Sequence, residues 1–242
     1  MIREPANRLP RGRSALSPDE VRQIHRQRLS RAIAEAMAEK GYAATSVEDV
    51  LKRAGVSRRA FYEQFGSKLD CFLAAFDSGR DILLGRMLGS VGVKSAGELA
   101  ESDDPLAGFE TVMSAYLAAI AEELPFARLF LVESFAAGPE AARRRMAVQD
   151  AIADAMAVLL GVAGPAGRFT CATVIAATSS MVTRLVAEGD REGILALGPT
   201  LTGHVRRLWQ MGAFDEPGEP DQSSKPSQPG KSRKAGKPSK ST

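Results

Sequence analysis

The sequence predicts an all-α fold, with an N-terminal three-helix helix-turn-helix domain followed by a larger helical domain. Between residues 17 and 214 apolar side chains recur every three or four residues and do not alternate. Capping residues and breakers such as Ser17-Pro18, Gly55, Asp104-Pro105, Gly138-Pro139 and Gly189-Asp190 stand where those periods start and stop. The stretch from Thr45 to Lys68 reads as two short helices about a glycine turn, with a cationic outer face.

Residues 1–16, rich in Arg and Pro with no packing residues, are expected to be a disordered basic arm, the sharper alternative being an arm that follows phosphates or a minor groove. Ser17-Pro18-Asp19-Glu20 combines a cap, a proline at the first helical position and an acid at the third, so a helix starts there. Its apolar stripe is Leu29, Ala32, Ile33, Ala36 and Met37, and Gly41 stops it. Thr45 and Glu48 are spaced as a capping box for the next helix. Val47, Val50, Leu51 and Ala54 face inward, and Gly55 ends the helix in the left-handed conformation. Ser57 caps a third helix that turns Phe61 inward and leaves Arg58, Arg59, Tyr62 and Glu63 outside.

Ser67 to Asp70 caps a long helix through Phe72, Phe76, Leu83 and Met87, the natural lever between the domains. Gly89 to Asp104 reads as a loop. Pro105 to Pro125, Phe126 to Ala137 and Pro139 to Leu160 follow as helices, and Arg143-Arg144-Arg145 in the last is read as a solvated face. Two helices joined by Gly189-Asp190 close the fold, with Pro199 either interrupting the second or starting it. From Asp215 the chain is a low-complexity Pro, Ser, Lys and Gly tail, expected to be disordered. The expected divisions are 1–16, 17–66, 67–214 and 215–242.

Composition narrows the chemistry. A chain of 242 residues that is 44% hydrophobic can bury a core. Residues 1–70 hold 14 Lys and Arg against 9 Asp and Glu, while residues 71–214 hold 12 against 16. A basic first domain on an acidic second suits a polyanion for the first alone. Cys71 and Cys171 are isolated and His25 and His204 have no ligand-like neighbours, so neither a disulfide framework, a metal nor a cofactor is expected. No Walker loop, nucleophile elbow or HExxH is present, and no catalytic residue is assigned. With charges interrupting each apolar run and no secretory pattern at the start, the protein is expected to be cytoplasmic, with no membrane partner.

The residues Thr45, Val47, Val50, Ala54-Gly55-Val56-Ser57, Phe61-Tyr62, Phe65 and Lys68, between two longer helices, resemble the DNA-binding domain of the tetracycline-repressor (TetR) family of bacterial transcription regulators. The resemblance implies a homodimer formed by the two C-terminal helices as a four-helix bundle. It also implies a bacterial regulator, nucleoid-associated when bound, that responds to a small hydrophobic or amphipathic effector, most often as a repressor.

On this reading Arg58 and Arg59 meet base edges in the major groove of a palindromic double-stranded operator. Thr45, Ser57, Tyr62 and Lys68 hold phosphates. Phe109, Met113, Tyr116, Phe130, Glu133 and Ser134 are the expected effector-pocket residues, apolar walls with few polar groups. The rival readings are an enzyme, which no motif supports, and a constitutive architectural DNA binder without effector.

Overall fold

The computed structural model describes residues 17–94 and 104–216. The arm 1–16, residues 95–103 of the expected loop and the tail from 217 lie outside the described residues. Ten α-helices follow one another, and no strand occurs among the described residues: α1 Pro18–Ala44, α2 Val47–Ala54, α3 Arg58–Tyr62, α4 Lys68–Ser90, α5 Pro105–Glu122, α6 Leu124–Arg128, α7 Ser134–Ala136, α8 Pro139–Leu159, α9 Pro165–Glu188 and α10 Arg191–Gln210, with a π-helical turn at Leu129–Glu133 between α6 and α7.

α1 starts as its letters require. Ser17 Oγ accepts from Glu20 N–H, and the Glu20 carboxylate accepts from Ser17 N–H at 2.6 Å. Its centre is buried on more than one side, at Leu29, Ala32, Ile33, Ala34 and Met37, because α2, α4 and α6 all pack against it. Alanines there admit close neighbours where larger side chains would clash. Gly41, at φ 77°, breaks the helical path, and one further turn runs to Ala44.

The cap of α2 differs from the expected one. Ser46 is the N-cap, accepting from Asp49 N–H at 3.2 Å, while the Asp49 carboxylate accepts from Ser46 N–H at 2.9 Å. The Thr45 hydroxyl instead donates to Gly41 O at 2.7 Å, which ties off the end of α1. Two adjacent hydroxyls with acids three residues on allow either register, and the Gly41 carbonyl left open by the kink claims the first of them.

Two apolar clusters organise the molecule. One gathers Leu29, Ile33, Met37, Val50, Phe61, Phe65, Phe72 and Phe76 from α1 to α4 and continues into Leu129, Ala141 and Val148. Fully burying one of its phenylalanines contributes about 1.5–3 kcal/mol. The other joins α4, α5, α8, α9 and α10 through Leu83, Met113, Leu117, Met156, Val182 and Ile194. Phe130 and Ile152 touch both clusters, and Phe130 stacks on Phe76 at 4.6 Å between ring centroids.

Three further elements depart from expectation. The helix expected from Phe126 to Ala137 begins at Leu124 and carries the π turn, which inserts one extra residue per turn and re-aims Phe130 to Glu133. Pro199 neither starts nor interrupts α10: the helix continues through it, the proline being exposed. Arg145 is not on a solvated face but buried, 8% exposed, while Arg143 and Arg144 pair with Glu140.

Candidate functional site

The helix-turn-helix is assembled by backbone hydrogen bonds about Gly55, whose φ of 64° lets both its own N–H and that of Val56 donate to Leu51 O. Ser57 Oγ then accepts from Ala60 N–H at 3.1 Å and opens α3. Phe61 lies fully buried beneath it and holds the helix down. Ser57, Arg58, Arg59 and Tyr62 are left on the outer surface. Arg58 Nη2 donates to Glu48 Oε2 at 2.7 Å and Arg59 Nε to Glu63 Oε1 at 2.8 Å, both pairs in open solvent. Such pairs contribute about 0–1 kcal/mol. Either guanidinium can therefore exchange its glutamate for a base edge or phosphate at little cost. Tyr62 stands half-exposed with its ring edge on Phe61.

α2 is fastened to α1 by ions of its own. Lys40 Nζ lies 2.7 Å from Asp49 Oδ1, and Arg53 Nη2 donates to Glu39 Oε2 at 2.5 Å. The Lys40 ammonium first, then the Ser46 hydroxyl and N–H, hold the Asp49 carboxyl well below the usual carboxylate range.

Two expected phosphate contacts are occupied elsewhere. Thr45 is 1% exposed, so its hydroxyl is committed to Gly41 and does not reach outward. Lys68 Nζ donates to Tyr42 O and Thr45 O, each at 2.8 Å, and lies 4.1 Å over the Tyr42 ring. It caps the open carbonyls at the end of α1 with the first residue of α4, and burial lowers its pKa. Its place at the free N–H end of α4 suggests a phosphate ligand, but the end of α1 supplies nearer acceptors.

The second region is a cavity of about 200 Å³ among α4, α5, the π turn, α8 and α9. Phe109, Met113, Tyr116 and Phe130 line it, with Leu84, Met87, Met156 and Ile175. Burial pushes the Tyr116 hydroxyl up to about 12.

Glu133 and Ser134 do not line it. Glu133 faces the N-terminal helices: its Oε2 accepts from Tyr42 N–H at 2.8 Å, and Arg128 Nε lies 3.5 Å from its Oε1. Ser134 is fully buried, with no hydrogen-bond partner for Oγ among the described residues. Glu133 is claimed by the Tyr42 N–H and Arg128, and Ser134 packs into the protein interior.

Arg145 was legible but overlooked. It lies four residues after Ala141 and three before Val148, both buried, so the apolar stripe of α8 passes through it and the charge run hides it. It lines the cavity with Thr178 and Ser179. Its neighbour Arg144 reaches the other way, Nη1 donating to Asp77 Oδ2 of α4 at 2.6 Å.

Comparison with known proteins agrees with this construction. The family described as "Bacterial regulatory proteins, tetR family" matches residues 29–75 by its sequence model. The uncharacterised HTH-type transcriptional regulator YezE of Bacillus subtilis is 44% identical over 50 residues, 21% of this chain and 25% of the relative, so the likeness spans about a quarter of that protein. A transcriptional regulator from Rhodococcus sp. Rha1 superposes with a TM-score of 0.57 at 26% identity, covering 75% of this chain and 96% of that one. The regulator FadR of Bacillus subtilis, solved in complex with stearoyl-CoA, gives a TM-score of 0.60 at 18% identity over 73% of this chain and 95% of its own, a likeness of fold.

Proposed function

We propose that the chain, whose residues 29–75 match the tetR family of bacterial regulatory proteins, is a DNA-binding transcription regulator, and that it acts as a homodimeric repressor that holds a palindromic operator and releases it when a small organic effector fills the cavity. The observation that carries this reading is the double duty of the π turn. Phe130 and Leu131 line the cavity, and Glu133, two residues on, holds the Tyr42 N–H beside the end of α1. An effector that displaces Phe130 thus moves the anchor of the corner where α1 meets α2. Asp77 adds a second tether, from α8 to the lever helix α4. Repacking between two arrangements, not continuous bending, is the usual form of such a switch. A 100-fold difference in operator affinity requires about 2.7 kcal/mol of coupling.

At the operator, Arg58 and Arg59 read base edges, while Ser57 and Tyr62 fix register on phosphates. Residues 17–66 act as the reading domain and 67–214 as the effector and dimer domain. The dimer forms on α9 and α10, where Phe169 (74% exposed), Met181, Leu195 and Met211 (76%) lie in solvent beside the small residues Ala172, Ala176, Ala177 and Ser180. Among the described residues α9 alone is long and apolar enough to cross a membrane. A helix buried against α8 on one side and a dimer partner on the other has the same composition, and that is the reading preferred for a cytoplasmic regulator. FadR of Bacillus subtilis, alike in fold, was solved in complex with stearoyl-CoA, which supports an organic ligand with an apolar part for the cavity here.

The test is a titration against the DNA upstream of the protein's own coding sequence, at fixed salt, with unrelated DNA as competitor. A competitor-resistant complex with two chains per site supports the proposal. Equal displacement by unrelated DNA counts against an operator there and in favour of an architectural binder.

A further inference from the structure

From the position of one buried cation we infer that the effector is a small organic monocarboxylate, its acid group received by Arg145 and its apolar body by the wall of Phe109, Met113 and Phe130. This deepens the reading of the cavity as an effector site and rests on it.

Arg145 is 92% withdrawn from solvent, and among the described residues no carboxylate lies within ion-pair distance of it. Its Nη2 donates to Ser179 Oγ at 3.1 Å and Thr183 Oγ1 at 3.2 Å, both neutral acceptors, and its guanidinium carbon lies 5.0 Å from the centroid of the Phe135 ring. Nε has no hydrogen-bond partner among the described residues. The adjacent Arg143 and Arg144 both have acids. A buried charge without a counter-ion is strongly unfavourable, whereas a bidentate carboxylate matches the guanidinium fork.

A second orphan stands on the same wall. Thr178 Oγ1 is buried without a partner, and Thr178, Ser179 and Arg145 all face the cavity. One cation, one unsatisfied hydroxyl and the Tyr116 phenol join Gln149 and Ser179 as the polar groups of a lining otherwise made of apolar side chains. The single positive charge selects a monoanion, since a phosphate dianion would leave one charge uncompensated. The volume of about 200 Å³ lies below the roughly 300–1,000 Å³ of pockets for drug-sized ligands, which keeps the body small. Phe135, packed on the guanidinium, lies two residues after Glu133, the end of the π turn, so charge neutralisation at Arg145 is felt where Glu133 anchors α1.

The test is calorimetric titration of the full chain with hexanoate, octanoate and benzoate, each against its primary amide, in the wild type and in Arg145→Gln, Arg145→Lys and Arg143→Gln. At least one acid is expected to bind the wild type about tenfold or more tighter than its amide. Arg145→Gln abolishes that preference, Arg145→Lys keeps part of it, and Arg143→Gln leaves it unchanged. Equal binding of acid and amide by the wild type overturns the assignment, as does an undiminished preference in Arg145→Gln; should Arg145→Gln not fold, the wild-type comparison still decides. Binding of the amides alone overturns the carboxylate while leaving an effector cavity in place. Binding of neither series by the wild type counts against both.

Discussion

The arginines of α3 and the arginine of α8 meet opposite surroundings. Arg58 and Arg59 lie in open solvent, each lightly held by a glutamate that a polyanion can replace. Arg145 is buried, bonded only to hydroxyls, and no protein carboxylate among those described neutralises it. Water screens the first pair, so their ligand is recognised by geometry and the sum of many weak contacts. Water hardly reaches the second, so one ligand charge there weighs heavily on the balance of states. A regulator needs both: a surface that exchanges ions readily and an interior site where a single small molecule shifts an equilibrium.

The largest expected effect tests the scaffold under the outer arginines. Phe61→Ala removes the ring that seats α3 and should lower stability by about 3–5 kcal/mol in urea unfolding, with loss of DNA binding. Retention of more than half the operator affinity would show that α3 does not depend on that seat. Arg58→Ala should leave stability within about 1 kcal/mol yet weaken specific operator binding by about 1–3 kcal/mol in competition titrations. An equal loss on unrelated DNA would make Arg58 a phosphate contact and not a reader.

Between the two regions stands Glu133. Glu133→Gln keeps an acceptor for Tyr42 N–H but loses the charge, and should cost about 1–2 kcal/mol by thermal unfolding while blunting effector-induced release. Unchanged release would detach the π turn from the switch. Thr45→Val should cost about 1 kcal/mol through the lost bond to Gly41 O and leave the salt dependence of DNA binding as it was. A shallower salt slope would restore Thr45 as a phosphate ligand.

The smallest effect is one of pH. Because Asp49 has a folded pKa below its unfolded value, its contribution is present above about pH 4 and is lost as pH falls through the folded value. Thermal midpoints of the wild type should therefore fall more steeply below pH 4 than those of Asp49→Asn. Parallel curves would show that the Lys40 pair is broken in solution.

The N-terminal helices were legible because their signals are local. A cap accepts from an N–H three residues away, and a left-handed turn needs only Gly55; Ser17, Ser57, Ser67 and Asp104 all cap where they were expected to. The apolar wall was legible too, since helical spacing places Phe109, Met113 and Tyr116 on one face. Three-residue rules could not choose between Thr45 and Ser46 as caps, because the choice falls to a carbonyl exposed by the kink at Gly41.

Sequence by itself determined most of the helices, the helix-turn-helix and the outward turn of Arg58, Arg59 and Tyr62, since those follow from periodicity, caps and the positive φ at Gly55. Only the tertiary structure decided where the long polar side chains end. Lys68 closes α1, Glu133 grips Tyr42 across 91 residues, and Arg145 turns into the cavity while Arg144 turns to α4. A long flexible side chain is compatible with many neighbours, and which of them it meets is fixed when distant helices pack.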